Sequence, residues 1–323
     1  MATVATRVDL FAAGTDVMTV LGVLRLFTSG RHSWIIELDE VRAVEEYIST
    51  NAPIMTDALG GLARKAWISR TAWTSSSANA AQSIQYEVTA TTIEIVLADL
   101  ERPGILVVED LVSDRIFLDA IVSVYGKGGV ATALKKGWLE VRHAGGGGRM
   151  LAVARDEASK FLLTPRVGAL LDSDSLYPGH QTSAHVKQSR IIELGLSCIV
   201  LTYREIENYI PNRALATLRP YSKFGNCLGA LKALTDKQRS YLDMKKGLCR
   251  RSVKYAKMPQ EHQDLYGDVP NNVLIHLEEG FGDGVIECLS AAVKGLTPSD
   301  FEALGPEGGK DIARLLELLR SLI

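Results

Sequence analysis

Between Pro103 and Thr202 short runs of unbroken apolar residues alternate with amphipathic stretches, and this is the most regular pattern in the chain. The run Ile105-Leu-Val-Val, closed by Glu109, predicts a strand over 104–109 that is buried on both faces. Amphipathic spacing then predicts a helix at about 113–125. A second strand is expected at 138–143, a helix at about 149–161 and a third strand at 166–172. A helix around 183–194 and a fourth strand at 197–202 complete the series. Strands and helices alternating at this spacing give an α/β fold, a parallel sheet with right-handed crossovers flanked by helices.

The flanking regions are less regular. Residues 1–100 read as an N-terminal α+β region, with a strand at Trp34-Ile-Ile-Glu-Leu and an amphipathic helix at Glu40-Val-Arg-Ala-Val-Glu-Glu-Tyr-Ile. Ser69 to Gln82, rich in Ser, Thr and Ala, is expected to be a surface loop or linker. Asp9 and Asp16 fit turn and cap roles. The sheet-forming region spans 101–215, and 216–323 form a basic, mostly helical C-terminal extension. Its last segment, Asp311-Ile-Ala-Arg-Leu-Leu-Glu-Leu-Leu-Arg-Ser-Leu-Ile, is strongly amphipathic and suits either docking to a partner or packing on its own domain.

Composition narrows the class. With 323 residues, 46% of them hydrophobic, and a mean hydropathy of +0.07, the chain can build ample core. Its apolar stretches are broken by charge before a membrane span is reached. The N-terminus lacks the basic start and apolar core of a signal peptide, which leads us to expect a cytoplasmic protein with no membrane association. Cys198, Cys227, Cys249 and Cys288 form no CxxC pair and read as buried free thiols.

The candidate chemistry lies where strands stop. Glu109 closes the first strand and Asp172-Ser-Asp174 the third, so their carboxylates are expected in the crevice where open α/β sheets bind ligands. Ionised carboxylates that converge require a compensating cation. Magnesium, with its preference for hard oxygen ligands and phosphate oxygens, suits the set. The alternative for each motif taken alone is a solvated strand end or a turn cap. The glycine run 145–148, between a strand and a helix, is either a phosphate-contacting loop or a tight connection. It lacks the surroundings of a nucleotide-binding fingerprint.

Net charge is only −2, yet 204–257 hold thirteen Lys or Arg against four acids, interleaved with Tyr203, Tyr209, Tyr221, Phe224, Tyr241 and Tyr255. Such a segment is either a solvated face or a footprint for nucleic acid, with cations for phosphates and rings for bases. Arg204, Arg239, Arg250, Arg251 and Lys254 are the candidate contacts.

Taken in order, Glu109 with Ser113-Asp114, the glycine loop, Asp172-Ser-Asp174 and Tyr203-Arg-Glu-Ile-Glu-Asn-Tyr209 resemble the TOPRIM domain of the OLD (overcoming lysogenization defect) family of nucleases and related anti-phage effectors. The resemblance covers about residues 104–250. It departs from the family at Asp110, which stands in a glycine position, and at Asp114, five residues rather than four after Glu109. The resemblance implies a nuclease dependent on Mg2+ or Mn2+, with Glu109, Asp172 and Asp174 as primary ligands and Asp114, Glu205 and Glu207 as candidates for a second ion. Two ions about 3.5–4 Å apart would flank the phosphorus in an in-line displacement. Lys245 or Lys246, in Met244-Lys-Lys-Gly247, is the implied source of positive charge at the scissile phosphate.

The resemblance further implies an effector of anti-phage defence acting beside a separately encoded ATPase, since the chain has no ATP-binding loop of its own. It leaves homo-oligomerisation open. A receiver-like phospho-signalling domain fits Ile105-Leu-Val-Val-Glu-Asp but matches Asp172 to Pro178 only loosely and lacks a lysine at the end of the fourth strand. A non-catalytic scaffold on the same fold is the third reading.

Overall fold

The structure, a computed structural model, describes residues 2–74, 85–126, 128–218, 222–250 and 252–323. Two parallel sheets carry it. In the first, β1 (Thr3–Thr6) lies between β2 (Ser33–Ile35) and β3 (Tyr86–Val88), both parallel to it. Helices α1 (Val17–Thr28), α2 (Leu38–Asn51), α3 (Thr56–Thr74) and α4 (Ile93–Glu101) alternate with these strands. The expected α+β region is therefore a second small α/β unit, because each strand returns parallel through a helical crossover. Asp16 caps α1 by accepting from the Thr19 N–H at 2.8 Å, as its cap role anticipates, whereas the Asp9 carboxylate accepts from the Ala90 N–H and so ties distant segments together rather than closing a local turn. The loop expected from Ser69 is helical through Thr74, and 75–82 lie outside the described residues.

The second sheet contains β4 (Gly104–Val108), β5 (Leu139–His143), β6 (Val167–Leu171) and β7 (Ser197–Val200). Its order is β5-β4-β6-β7, parallel throughout. Helices α5 (Leu111–Tyr125) and α6 (Gly129–Lys136) follow β4; α7 (Met150–Ala158) follows β5 and α8 (Ser183–Glu193) follows β6. Each strand foreseen between 104 and 202 is present within two residues of its expected ends. The alternation of side chains along each strand divides the core. Ile105, Val107, Val167, Ala169 and Leu171 pack with Met150, Ala154, Ala184 and Ile191 under α7 and α8. Leu106, Val108 and Leu170 join the opposite core, which continues without a break from Phe117 of α5 to Ile323.

The C-terminal helix, Pro306–Leu322, belongs to that second core, with Ile312, Leu315, Leu316, Leu318, Leu319 and Leu322 buried. It lies against β4 and β6 closely enough that a Cβ on Gly104 would meet the Leu322 carbonyl oxygen at 2.0 Å, and one on Gly168 would meet Leu318 at 2.9 Å. Of the two fates open to this amphipathic segment, packing on its own domain is the one observed. Among the described residues no helix is long and apolar enough to cross a membrane.

Candidate metal centre

The chain leaves β4 for β5 on one side, then crosses back over β4 to β6 and β7 on the other. The switch point of the sheet therefore lies between β4 and β6, and ligands of open α/β sheets bind outside the strand ends at such a point. Glu109 and Asp172 are the first residues beyond those two strands. Pairing of Val107 with Ala169 puts the two strand ends side by side.

Local bonding fixes each acid. Asp110 caps α5, accepting from the N–H groups of Val112 and Ser113, and Asp114 reaches back to accept the Asp110 N–H at 2.9 Å. The Asp-Ser-Asp turn is fastened to the segment after β7. There the Ile206 N–H donates to Asp172 Oδ1 at 2.9 Å, Ser173 Oγ donates to the Tyr203 carbonyl, and the Asp174 N–H donates to the Arg204 carbonyl. Asp174 adopts a left-handed φ of 52°, uncommon outside glycine but tolerated by aspartate. Asn208 bonds the carbonyls of Arg239 and Leu242, and this draws the following turn, with Lys245, up to the same edge.

Lys245 Nζ stands 3.1 Å from Glu205 Oε2 and 3.0 Å from Glu207 Oε1. Arg204 pairs with Glu205 at 3.1 Å and with Asp243 at 2.9 Å. Lys246 is exposed, and only its backbone N–H engages Asp243. Of the two lysines, Lys245 is the one at the acidic edge. Glu205 and Glu207, expected as ligands of a second ion, have their charge met by Lys245 as they stand. Glu207 nevertheless retains a buried carboxylate oxygen, Oε2, without a hydrogen-bond partner.

The electrostatics tie the acids together. Burial raises the pKa of Glu109, nearby Asp174 raises it further, and Lys187 opposes both. Burial, then Asp114, Glu207 and Glu205, push Asp172 well above the usual carboxylate range against Lys245. Asp174 is raised by burial and by Glu205. Asp114 reaches about 7, chiefly through burial, then through the charges of Asp110, Glu109 and Glu207. Burial also disfavours charge on Lys245, but Glu205 and Glu207 outweigh it and hold the ammonium protonated. The edge thus gathers more carboxyl groups than it has lysines to neutralise them, and burial favours protons on several of them.

That surplus fits a hard divalent cation in donor chemistry, since carboxylates with raised proton affinity gain most from a cation. Geometry qualifies the fit: among the described residues no group of three or more His, Cys, Asp or Glu is spaced to hold a metal ion as placed. The alternation of the strands supplies a reason, because Glu109 continues the α8 side of β4 whereas Asp172 continues the α5 side of β6. An ion would have to draw them together around the switch point.

The glycine loop closes the site from the β5 side. Gly146 donates its N–H to the Glu109 carbonyl, and a Cβ on Gly147 would lie 2.6 Å from Lys187 Nζ and 2.9 Å from both Glu109 carboxylate oxygens. Lys187 was not anticipated. It lies with Ala184, Gln188 and Ile191 at positions i, i+3, i+4 and i+7, the inward stripe of α8, so a lysine on an otherwise buried face was the available signal.

The basic segment differs from expectation. Arg239 is buried and donates to Asn212 Oδ1 and the Ile210 carbonyl, both at 2.7 Å, so it is a structural residue with no access to nucleic acid. Tyr203, Tyr209 and Tyr241 are buried and cannot stack on bases. Arg250 pairs with Glu278 at 2.8 Å. Arg251 and Tyr221 lie outside the described residues, and of Lys254 the structure describes only the backbone, within Val253–Ala256. Among the cysteines Cys198, Cys227 and Cys288 are buried, whereas Cys249 is exposed.

The fold and site together define an α/β protein with a parallel sheet whose switch-point edge is lined by carboxylates and one buried-paired lysine. The chain matches no protein-family model, no curated protein and no solved structure.

Proposed function

We propose that this protein is a TOPRIM-like, metal-dependent nuclease that hydrolyses phosphodiester bonds of DNA or RNA, and that it acts in anti-phage defence beside an ATPase partner. One observation carries the reading: the surplus of carboxylates at the switch point, with Lys245 held against it by Glu205 and Glu207. In this reading Glu109, Asp172 and Asp174 would hold a Mg2+ or Mn2+ ion and Asp114 would contribute to a second. Such an ion supplies a Lewis acid and a clamp for phosphoryl oxygens when bound.

The side chains have separate tasks. Asp114, with a pKa of about 7, would have to lose its carboxyl proton to serve as a ligand, so metal binding would release a proton near neutrality. Glu205 and Glu207 hold Lys245 in place. Its ammonium meets the charge that develops on the phosphoryl oxygens, which stabilises the transition state more than the ground state. Lys187, close to Glu109 and Asp174, orients those carboxylates on the opposite side.

The test incubates purified protein, alone and with candidate ATPase partners, with labelled plasmid, single-stranded DNA and tRNA in Mg2+ or Mn2+. Cleavage that requires the metal and is lost in Glu109→Gln with the melting temperature preserved is the expected result. Glu109→Gln cutting as well as the parent, with the same metal dependence, removes Glu109 from the mechanism. Labelling of Asp172 by acetyl phosphate without any cleavage would favour the receiver-like alternative.

A further inference from the structure

A cavity of about 250 Å³ opens beyond the end of β7, between the loop 175–181, α8 and the C-terminal helix. Its lining includes His180, His185, Gln188, Thr202, Tyr241 and Arg314, and among the described residues no Asp or Glu lines it. It lies past Asp174 along the chain but is built from other side chains than the acidic edge, and its polarity is opposite: donors rather than acceptors.

Both imidazoles are fixed as donors. The Leu176 N–H donates to His180 Nδ1 at 3.2 Å, and the Thr182 N–H donates to His185 Nδ1 at 3.1 Å. A ring nitrogen that accepts carries no proton, so in each neutral ring the proton is on Nε2. Stacking on Tyr177 at 4.8 Å further fixes His180. Arg314 is anchored through one nitrogen, Nη1, to Asp311 Oδ1 at 3.1 Å, while its side chain is half exposed. Asp311 is itself buried and accepts from the Thr202 N–H and hydroxyl. The guanidinium is thus tethered by a buried carboxylate that does not line the cavity.

Two histidines whose Nδ1 atoms accept backbone N–H bonds, so that Nε2–H is left to donate, and a planar guanidinium line one cavity without a carboxylate, a set that suits a tetrahedral oxyanion. The volume falls below the roughly 300–1,000 Å³ of sites that bury a drug-sized ligand, which leaves room for a phosphate and part of its sugar. We propose that this cavity binds a phosphate group, specifically the terminal phosphate of a nucleic-acid strand whose next linkage lies at the acidic edge. The choice of strand rests on the nuclease reading; the preference for phosphate rests on the cavity alone.

The experiment titrates the full-length protein with inorganic phosphate, a 5′-phosphorylated dinucleotide and the same dinucleotide without its phosphate, in the absence of divalent metal. Binding is followed by calorimetry and by the imidazole NMR signals of His180 and His185. The phosphorylated dinucleotide should bind tightest and shift both histidines. Arg314→Gln should weaken it about tenfold, as expected for one charge-assisted hydrogen bond, and Arg314→Lys by less. Glu109→Gln, which removes one anion beside the next linkage, should bind it at least as tightly as the parent. Unmoved histidine signals in the unaltered protein overturn the site, whatever the variants do. Equal binding of the two dinucleotides overturns the phosphate, and inorganic phosphate binding as tightly as the phosphorylated dinucleotide overturns the strand. Phosphate binding without nuclease activity would sink the nuclease reading and spare the cavity; cleavage without phosphate binding would do the reverse.

Discussion

Lys245 Nζ lies 3.0 Å from Glu207 Oε1 and completes a bridge to Glu205, so that one ammonium is shared between two carboxylates whose side chains are almost fully buried. The arrangement makes Lys245 structural and chemical at once. Lys245→Met would leave two buried anions facing each other, which costs about 3–5 kcal/mol when one partner of a buried pair is removed. Denaturant melts should show that loss, and cleavage should vanish. Lys246→Ala, at an exposed position, should change stability by no more than about 0.5 kcal/mol. Equal effects of the two substitutions would contradict the placement of Lys245.

Asp114 gives a pH signature. A carboxyl whose folded pKa is about 7, against a usual 3.8, takes up a proton on folding between those values. Stability in EDTA should therefore fall as pH rises from 4 to 7, and the full cost, about 4 kcal/mol for a shift of this size, applies above 7. Asp114→Asn, which can still accept the Asp110 N–H, should melt higher than the parent at pH 8 and about equally at pH 4. Added Mg2+ should narrow the gap at pH 8 by stabilising the parent. A gap that does not vary with pH would remove the buried charge as its cause.

Gly147 tests the loop. Its added Cβ would lie 2.6 Å from Lys187 Nζ and 2.9 Å from the Glu109 carboxylate oxygens, whereas a Cβ on Gly148 meets nothing within 4 Å. Gly147→Ala should lower metal affinity and cleavage by about 10–100-fold, as loss of a supporting contact at a metal site does, with little change in melting temperature. Gly148→Ala should behave like the parent. If both variants bind metal normally, the loop is only a connection.

Arg239→Ala separates structure from recognition. Loss of its buried bonds to Asn212 and the Ile210 carbonyl should cost about 3 kcal/mol, read from chemical melts. Affinity for nucleic acid per folded molecule, and its salt dependence, should be unchanged. A flattened salt slope would mean that Arg239 reaches phosphate after all.

Strands β4, β6 and β7 were legible because each is a largely apolar run ended by a polar residue, the signature of burial on both faces, whereas the edge strand β5 was legible from the alternation of Leu139-Glu-Val-Arg. Glu109 and Asp172 were legible with them, being the residues at which those runs stop. Of the N-terminal sheet only β2 was legible, through Trp34 and Ile35; β1 and β3 were not, because runs of four and three residues are too short to show a period. The basic segment misled for a different reason. The partners that account for its charge stand far along the chain, Glu278 for Arg250 and Asn212 for Arg239, and no local pattern announces such pairs.

The closeness of the C-terminal helix to Gly104 and Gly168 bears on how the molecule is made. The first and last elements of this half of the chain share one interface, so a nascent polypeptide that has emerged only as far as β7 presents a bare apolar face on β4 and β6. Such non-local contacts must close a long loop before they contribute stability. The face of the sheet on which α5 packs is therefore completed only when the helix Pro306–Leu322 docks, so the two strands that carry Glu109 and Asp172 depend for their support on a segment far along the chain.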